Sequence, residues 1–263
     1  MIKVLFMGRK QVAADILGKL HADKRCDIVG VLTDSHLEVS ATQNVAEQLG
    51  LPVLRYDDVM ERLGTGNLSF DIGLSILYWR KLREPFIDAA LHGIINFHPA
   101  PLPEFKGVGG YNLAILEALN EWAVSAHYID KNIDTGRIVD VRTFPIDLNS
   151  ETAQSLERKS MGQLRALFDT VWAQYSKDPR HLPTTENEGG RYLSRVELEA
   201  MKRIDPVVDD IERKIRAFWF PPYDGAYVEF DEAKYTLVTP EILRDLAPEG
   251  VSSLFSTPKT ASS

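Results

Sequence analysis

Apolar residues in this chain fall into two alternating rhythms: short unbroken runs, and longer stretches in which they recur every three or four positions. "IKVLFM" (2–7) is an unbroken run that stops at Gly8, as expected of a strand buried on both faces. "VAADILGKLH" (12–21) then spaces Val12, Ile16 and Leu20 one turn apart, which predicts a helix. "DIVGVLT" (27–33) reads as a second strand, and "ATQNVAEQLG" (41–50) as a helix closed by Gly50. "PVLRY" (52–56) reads as a short third strand, "DIGLSIL" (71–77) as a fourth and "GIINFH" (93–98) as a fifth. This alternation predicts an α/β domain, a mostly parallel sheet with helices on both faces.

Past residue 98 the rhythm changes. "YNLAILEAL" (111–119) predicts a helix, while "AVSAHYID" (123–130) and "GRIVDVRTFPI" (136–146) read as two strands of the same sheet joined by the turn "KNIDTG". Met161, Leu164, Phe168, Val171, Trp172 and Tyr175 predict one long helix from about 150 to 176. "KDPRHLPTTENEGGRYLS" (177–194), rich in Pro, Gly and polar residues, reads as a linker. Beyond it, "SRVELEAMKRI" and "PVVDDIERKIRAF" read as short helices, and "AYVEF" and "KYTLV" as a hairpin turning on "DEA". The expected organisation is a main domain over 1–185, a small C-terminal helix and β-hairpin subdomain over 186–250, and a disordered tail over 251–263.

Composition narrows the function classes. The chain is 44% hydrophobic and 26% charged, enough for a sizeable core. A formal net charge of −8 argues against a protein that grips nucleic acid through its phosphates, though a local basic pocket for one diphosphate remains compatible with it. Cys26 is the sole cysteine, so no intrachain disulfide forms, which suits a reducing cytoplasm. "MIKVLFMGRK" turns basic too early for a signal peptide, and no run approaches the ~18 apolar residues of a membrane span. A soluble cytoplasmic protein is expected. No group of side chains has metal-ligand spacing, so no metal is expected.

The candidate chemistry lies in "INFHPAPLPEFKG" (95–107), where an apolar run ends at three prolines. Pro99, Pro101 and Pro103 donate no backbone hydrogen and cannot extend a ladder, so they form a stiff rim behind Asn96 and His98. A strand-end histidine is often structural, but "NIDTG" (132–136) adds Asp134 in a turn of the same sheet. A carboxylate beside an imidazole sets its tautomer and raises its pKa, and a nearby amide can donate to an oxyanion. Asn, His and Asp together suit acyl transfer to an amine.

These residues carry a resemblance. N-x-H-x-x-x-L-P-x-x-x-G over 96–107, followed by D-T-G at 134–136 with 36 positions from His98 to Asp134, resembles the folate-dependent formyltransferase family over about the first 180 residues. The resemblance implies a Rossmann-like formyltransferase domain, N10-formyltetrahydrofolate as cosubstrate and a primary amine as acceptor. It also implies roles: Asn96 donates to the oxyanion, His98 takes the amine proton, and Asp134 orients His98. "LSILYWRKL" (74–82) resembles the family's pterin wall, making Tyr78, Trp79, Leu82 and Asn132 the folate candidates, with Trp79 fitting a core position equally well.

The acceptor is read from what surrounds this centre. The branch of the family that acts on methionyl-tRNA carries a larger, often basic C-terminal domain, whereas this chain is acidic. The purine-pathway branch has a glycine-rich first loop, and "MGRKQV" has one glycine. "IRAFWFPPYDGAYVEF" resembles the C-terminal segment of sugar N-formyltransferases. The resemblance therefore implies an acceptor that is a nucleotide-linked amino-dideoxy sugar, of the kind used for bacterial O-antigen and lipopolysaccharide, and a homodimer. Arg9, Lys10, Lys106 and Arg216 are its phosphate candidates and Trp219, Phe220 and Tyr223 its stacking candidates, with Gly107, Gly109 and Tyr111 also counted among the nucleotide-sugar-binding residues. For each, a packing or solvated role is the alternative. Another small amine, or a non-catalytic protein binding folate or nucleotide sugar, are the rival readings. His21, His36, His92 and His181 read as helix-end, loop and surface residues, and His127 as a supporting or structural one.

Overall fold

The computed structural model describes residues 1–34, 37 and 39–246; His36 and the tail expected over 251–263 lie outside them. The chain opens with β1 (Ile2–Gly8), α1 (Lys10–Ala22), β2 (Cys26–Leu32), α2 (Ala41–Gln48) and α3 (Tyr56–Gly64). It continues through β3 (Ile72–Ile76), α4 (Glu84–Asp88), β4 (Ile94–His98), β5 (Phe105–Gly107), α5 (Gly110–Leu116), β6 (Glu121–Tyr128), β7 (Ile138–Pro145) and α6 (Ala153–Lys177). Then come β8 (Arg191–Leu193), α7 (Arg195–Ala200), α8 (Ile211–Phe218), β9 (Tyr227–Phe230), β10 (Ala233–Thr236) and α9 (Pro240–Asp245).

The main sheet has the order β2-β1-β3-β4-β6-β7. β2, β1, β3 and β4 run parallel, β6 is antiparallel to its neighbours β4 and β7, and β7 therefore runs in the same direction as the parallel set. Side chains of β1 show the pleat: Val4 and Phe6 join the core beneath α1 and α6, while Leu5 and Met7 join the one beneath α3 and α4. Burial on both faces explains why Val4–Met7 of β1 and Ile94, Ile95 and Phe97 of β4 are apolar. No helix among the described residues is long and apolar enough to cross a membrane.

Two expectations fail locally. "PVLRY" is not a strand: Val53 makes only an isolated bridge to Val31, and Tyr56 is already the first residue of α3. The Asp58 carboxylate accepts from the Arg55 backbone N–H at 3.2 Å, which starts the helix and ends the extended segment. The stretch 177–194 is not merely a linker. Thr185 exchanges both backbone hydrogen bonds with Ile138 of β7, and β8 pairs in parallel with β5. Further on, Ile215, Ala217 and Phe218 of α8 are buried in the same core as Phe97 and Phe168, and Asn112 of α5 donates to Ala217 O at 2.7 Å. Packing therefore runs without a break across residue 185. The hairpin of β9 and β10 forms as expected, and α9 was not anticipated.

Candidate active site

β4 delivers Asn96 and His98 to the carboxyl end of the parallel strands, where α/β sheets bind ligands. The proline rim that follows is fastened to β6 by side chains. Trp122 Nε1 donates to Pro99 O at 3.1 Å, and Ser125 Oγ donates to Ala100 O at 2.7 Å while accepting from Leu102 N at 3.0 Å. Ser125 is fully buried, so these bonds are shielded from competing water.

Register then lines up three polar residues across three strands. Ser75 of β3 lies opposite Asn96 of β4, and Asn96 opposite His127 of β6. Ser75 Oγ donates to Asn96 Oδ1 at 2.8 Å, and Asn96 Nδ2 donates to His127 Nε2 at 3.1 Å. His127 Nδ1–H is taken up by Tyr128 O at 2.8 Å, which leaves Nε2 as the acceptor. The amide of Asn96 is thereby locked in one orientation, with one N–H unspent among the described residues.

His98 is 6% exposed, and its Nε2–H donates to Phe105 O at 3.0 Å. Its Nδ1 stands 3.6 Å from Asp134 Oδ1, and His127 Nε2 stands 3.6 Å from the same oxygen. Asp134 Oδ2 accepts from Gly107 N at 3.0 Å. Asp134 has a left-handed backbone, φ +56°, and the turn closes at Gly136, where a Cβ would fall 1.9 Å from Tyr128 O. Only glycine fits there.

Electrostatics assign the protonation states. Burial pushes the Asp134 carboxyl up, but the nearby imidazoles of His127 and His98 and the Gly107 amide outweigh it and bring it down to about 2. Burial lowers His98 more than Asp134 raises it, so the net shift is downward and the ring is neutral near pH 7. That corrects the expectation of a raised imidazole: the carboxylate acts as expected, and desolvation exceeds it. A neutral ring with Nε2 committed to a carbonyl offers Nδ1 as its basic atom.

A cavity of about 190 Å³ opens against Ser75, Asn96, His127 and Asp134. All four folate candidates, Tyr78, Trp79, Leu82 and Asn132, line it. Leu82 is also core, and Trp79 is 45% exposed at the mouth. Burial pushes the Tyr78 hydroxyl up to about 12, which keeps it protonated. His98 does not line that cavity; it borders a void of about 10 Å³ together with Lys106, Gly107 and β8.

The remaining candidates do not converge on that cavity. Lys106 Nζ donates to Gly189 O at 2.8 Å and to Asn187 O at 3.4 Å. Gly109 is the N-cap of α5, and the Tyr111 hydroxyl is buried beneath it in the core. Arg216 donates to Glu151 O at 3.0 Å. Lys10 is ion-paired with Glu157 and lies 5.8 Å from the Phe220 ring, which contacts Tyr223, itself 71% exposed. Trp219 and Phe220 pack half-buried on the core. Arg9 has a buried Nε without a hydrogen-bond partner among the described residues. His92, read as a surface residue, is half-buried and bonded to the Tyr175 hydroxyl at 2.8 Å.

Residues 2–168 match the family described as Formyl transferase. The chain belongs to that family. Among curated relatives, the methionyl-tRNA formyltransferase of Sphingopyxis alaskensis is 27% identical over 258 residues, covering 92% of this chain and 81% of that protein. Among solved structures, an N-formyltransferase from Helicobacter canadensis in complex with folinic acid and dTDP-3-aminofucose superposes with a TM-score of 0.72 at 25% identity. It covers 89% of this chain and 86% of its own. A 4-N formyltransferase from Francisella tularensis shares the fold, with a TM-score of 0.73 at 17% identity over 90% of this chain and 97% of that one.

Sequence reasoning missed Ser75, Asn187 and the full part played by His127. A serine inside the apolar run "DIGLSIL" and a histidine inside "AVSAHYID" were the available signals, since each breaks a strand pattern that burial otherwise makes apolar. Nothing in the linker composition marked Asn187.

Proposed function

We propose that this formyltransferase moves a formyl group from N10-formyltetrahydrofolate to the amine of a nucleotide-linked amino-dideoxy sugar. The observation that carries the sugar reading is the likeness, over 89% of this chain and 86% of the other, to the Helicobacter canadensis enzyme, whose bound molecules are folinic acid and dTDP-3-aminofucose. The 190 Å³ cavity, walled by Tyr78 and Trp79 beside Asn96, supports the folate half. The formyl group enters against Asn96, and the acceptor amine attacks its carbon. A C–N bond forms, and the carbonyl electrons move to an oxyanion that receives the unspent N–H of Asn96. His98 Nδ1 takes the amine proton, and Asp134, at 3.6 Å, stabilises the imidazolium. Collapse re-forms the carbonyl, breaks the bond to N10 of the folate and returns the proton to that nitrogen.

A second reading, initiator methionyl-tRNA as acceptor, is favoured by curated relatives that carry that name, one of them 27% identical. The net charge of −8 opposes it, because tRNA binding draws on cationic contacts to phosphate. One assay separates the two. The protein is incubated with N10-formyltetrahydrofolate and, in parallel, dTDP-, GDP- and UDP-linked 3- and 4-amino sugars and methionyl-tRNA, with products read by mass. A gain of one formyl group on an amino sugar is expected; formylation confined to methionyl-tRNA overturns the sugar reading.

A further inference from the structure

Asn187 lies beyond the residues that match the family, in a stretch whose composition reads as linker. It is nonetheless 7% exposed. Both hydrogens of its side-chain amide are spent on the catalytic turn: Nδ2 donates to Asp134 O at 3.0 Å and to Gly136 O at 2.8 Å. Two carbonyl acceptors fix which way the amide faces, since only its nitrogen can donate. Its Oδ1 is left buried without a partner among the described residues. Leaving a buried acceptor unpaired is unfavourable, so the site keeps this amide for its two donors.

The turn it holds needs holding. Asp134 sits at φ +56°, a region that residues with a Cβ enter uncommonly, Asp more readily than most, so neighbouring bonds decide whether the turn keeps it. The carboxylate of that residue must reach Gly107 N at 3.0 Å and face His98 Nδ1 at 3.6 Å. Asn187 is itself anchored from both sides. Thr185 is bonded to Ile138 of β7, and Lys106 donates to Asn187 O and Gly189 O from the loop that carries Gly107. One strap, residues 184–193, thus spans both halves of the centre.

We propose that Asn187 is a positioning residue for formyl transfer, acting through the backbone of the Asp134 turn to hold that carboxylate against His98. The inference rests on the mechanism proposed above. It goes beyond that mechanism in assigning a role to the segment that follows the family's matched region.

Asn187→Asp keeps the shape and removes both donors. In the full-length protein its kcat falls about 100-fold, the scale expected of a 1 Å misplacement at a reacting centre, with KM for both substrates unchanged. In an Asp134→Ala background the same substitution adds no further loss, because the group it positions is gone. Additive losses in that cycle, or an unchanged kcat in the single variant, overturn the proposal. A second readout needs no acceptor. The Gly107 amide, which donates to Asp134 Oδ2, exchanges with solvent faster in the variant, while the Val108 amide, which donates to Leu193 O at 3.2 Å, keeps its protection. Loss of protection at both means the whole strap has come away and the role is only structural. Should Asn187→Asp fail to fold, Asn187→Ala, which places no charge against the two carbonyls, carries the same expectations. If the unaltered protein formylates none of the acceptors, the proposed reaction fails, and amide exchange still decides the part played by Asn187.

Discussion

At the scale of single residues, the centre depends on which atoms are already committed. Ser75 engages the oxygen of Asn96 and His127 one of its amide hydrogens, and the other N–H has no partner among the described residues. Asn96→Ala is expected to lower kcat by ~10²–10³ with folate binding kept, the usual result of removing an oxyanion donor. A single-turnover measurement at saturating substrates checks this, and a kcat equal to that of the unaltered protein removes Asn96 from the mechanism. The pH dependence follows from His98. Its folded pKa lies below the ordinary 6.5 because burial disfavours the charged ring, so the base stays unprotonated as pH falls through 6.5. The acid limb of kcat/KM is therefore expected below 6.5. Asp134 partly opposes that depression. Asp134→Asn is thus expected to slow the reaction and also move the limb lower. A limb that moves upward contradicts the assigned charges. The same shift has a stability sign: the unfolded chain binds the extra proton between the lowered pKa and 6.5, so stability rises with pH across that window and is lost below it.

At the scale of elements, legibility tracked how local each signal was. β1 and β4 were readable because burial on both faces writes itself as an apolar run, and α6 because its apolar positions recur for 25 residues. "PVLRY" had the composition of a strand, but a capping carboxylate three residues after Arg55 decided for helix. Asn96, His98 and Asp134 were legible as a spaced motif. Ser75 and His127 join them only through strand register, and register depends on partners distant in sequence. β8 is three residues long and pairs with a strand about 85 positions earlier, so no window of sequence contains it. Its docking hinges on Gly190, at φ +70°, where a Cβ would fall 1.7 Å from Pro103 O. Gly190→Ala is expected to destabilise the protein by more than ~1 kcal/mol, since both the φ and the contact oppose a side chain. Urea denaturation checks this, and an unchanged midpoint means that β8 docks without needing that approach.

At the scale of the whole molecule, the question is whether the residues after the long helix form a removable accessory. The sequence suggested that they do, because a complete alternation of strands and helices precedes a polar, glycine-rich stretch. Packing argues otherwise. Ile204, Ile215, Ala217, Phe218, Ala226 and Ile242 are all buried in the core cluster that contains Phe97, Trp122 and Phe168. α8 lies on α5, which itself follows β5, and Arg216 donates to the carbonyl of Glu151 just before α6. A chain ended after residue 185 would expose the partners of those six side chains and lose β8 and Asn187 together. Each of the four larger ones, Ile204, Ile215, Phe218 and Ile242, accounts for roughly 1.5–3 kcal/mol of transfer free energy, so the loss is comparable with the whole stability of a typical domain. The truncated chain is therefore expected to be insoluble, or to lack a cooperative melting transition, and to bind neither folate nor acceptor. Gel filtration and calorimetry of that fragment make the test. A monodisperse fragment that melts cooperatively and still takes up formyl-folate would show instead that the C-terminal elements are a separable module laid over a self-sufficient core.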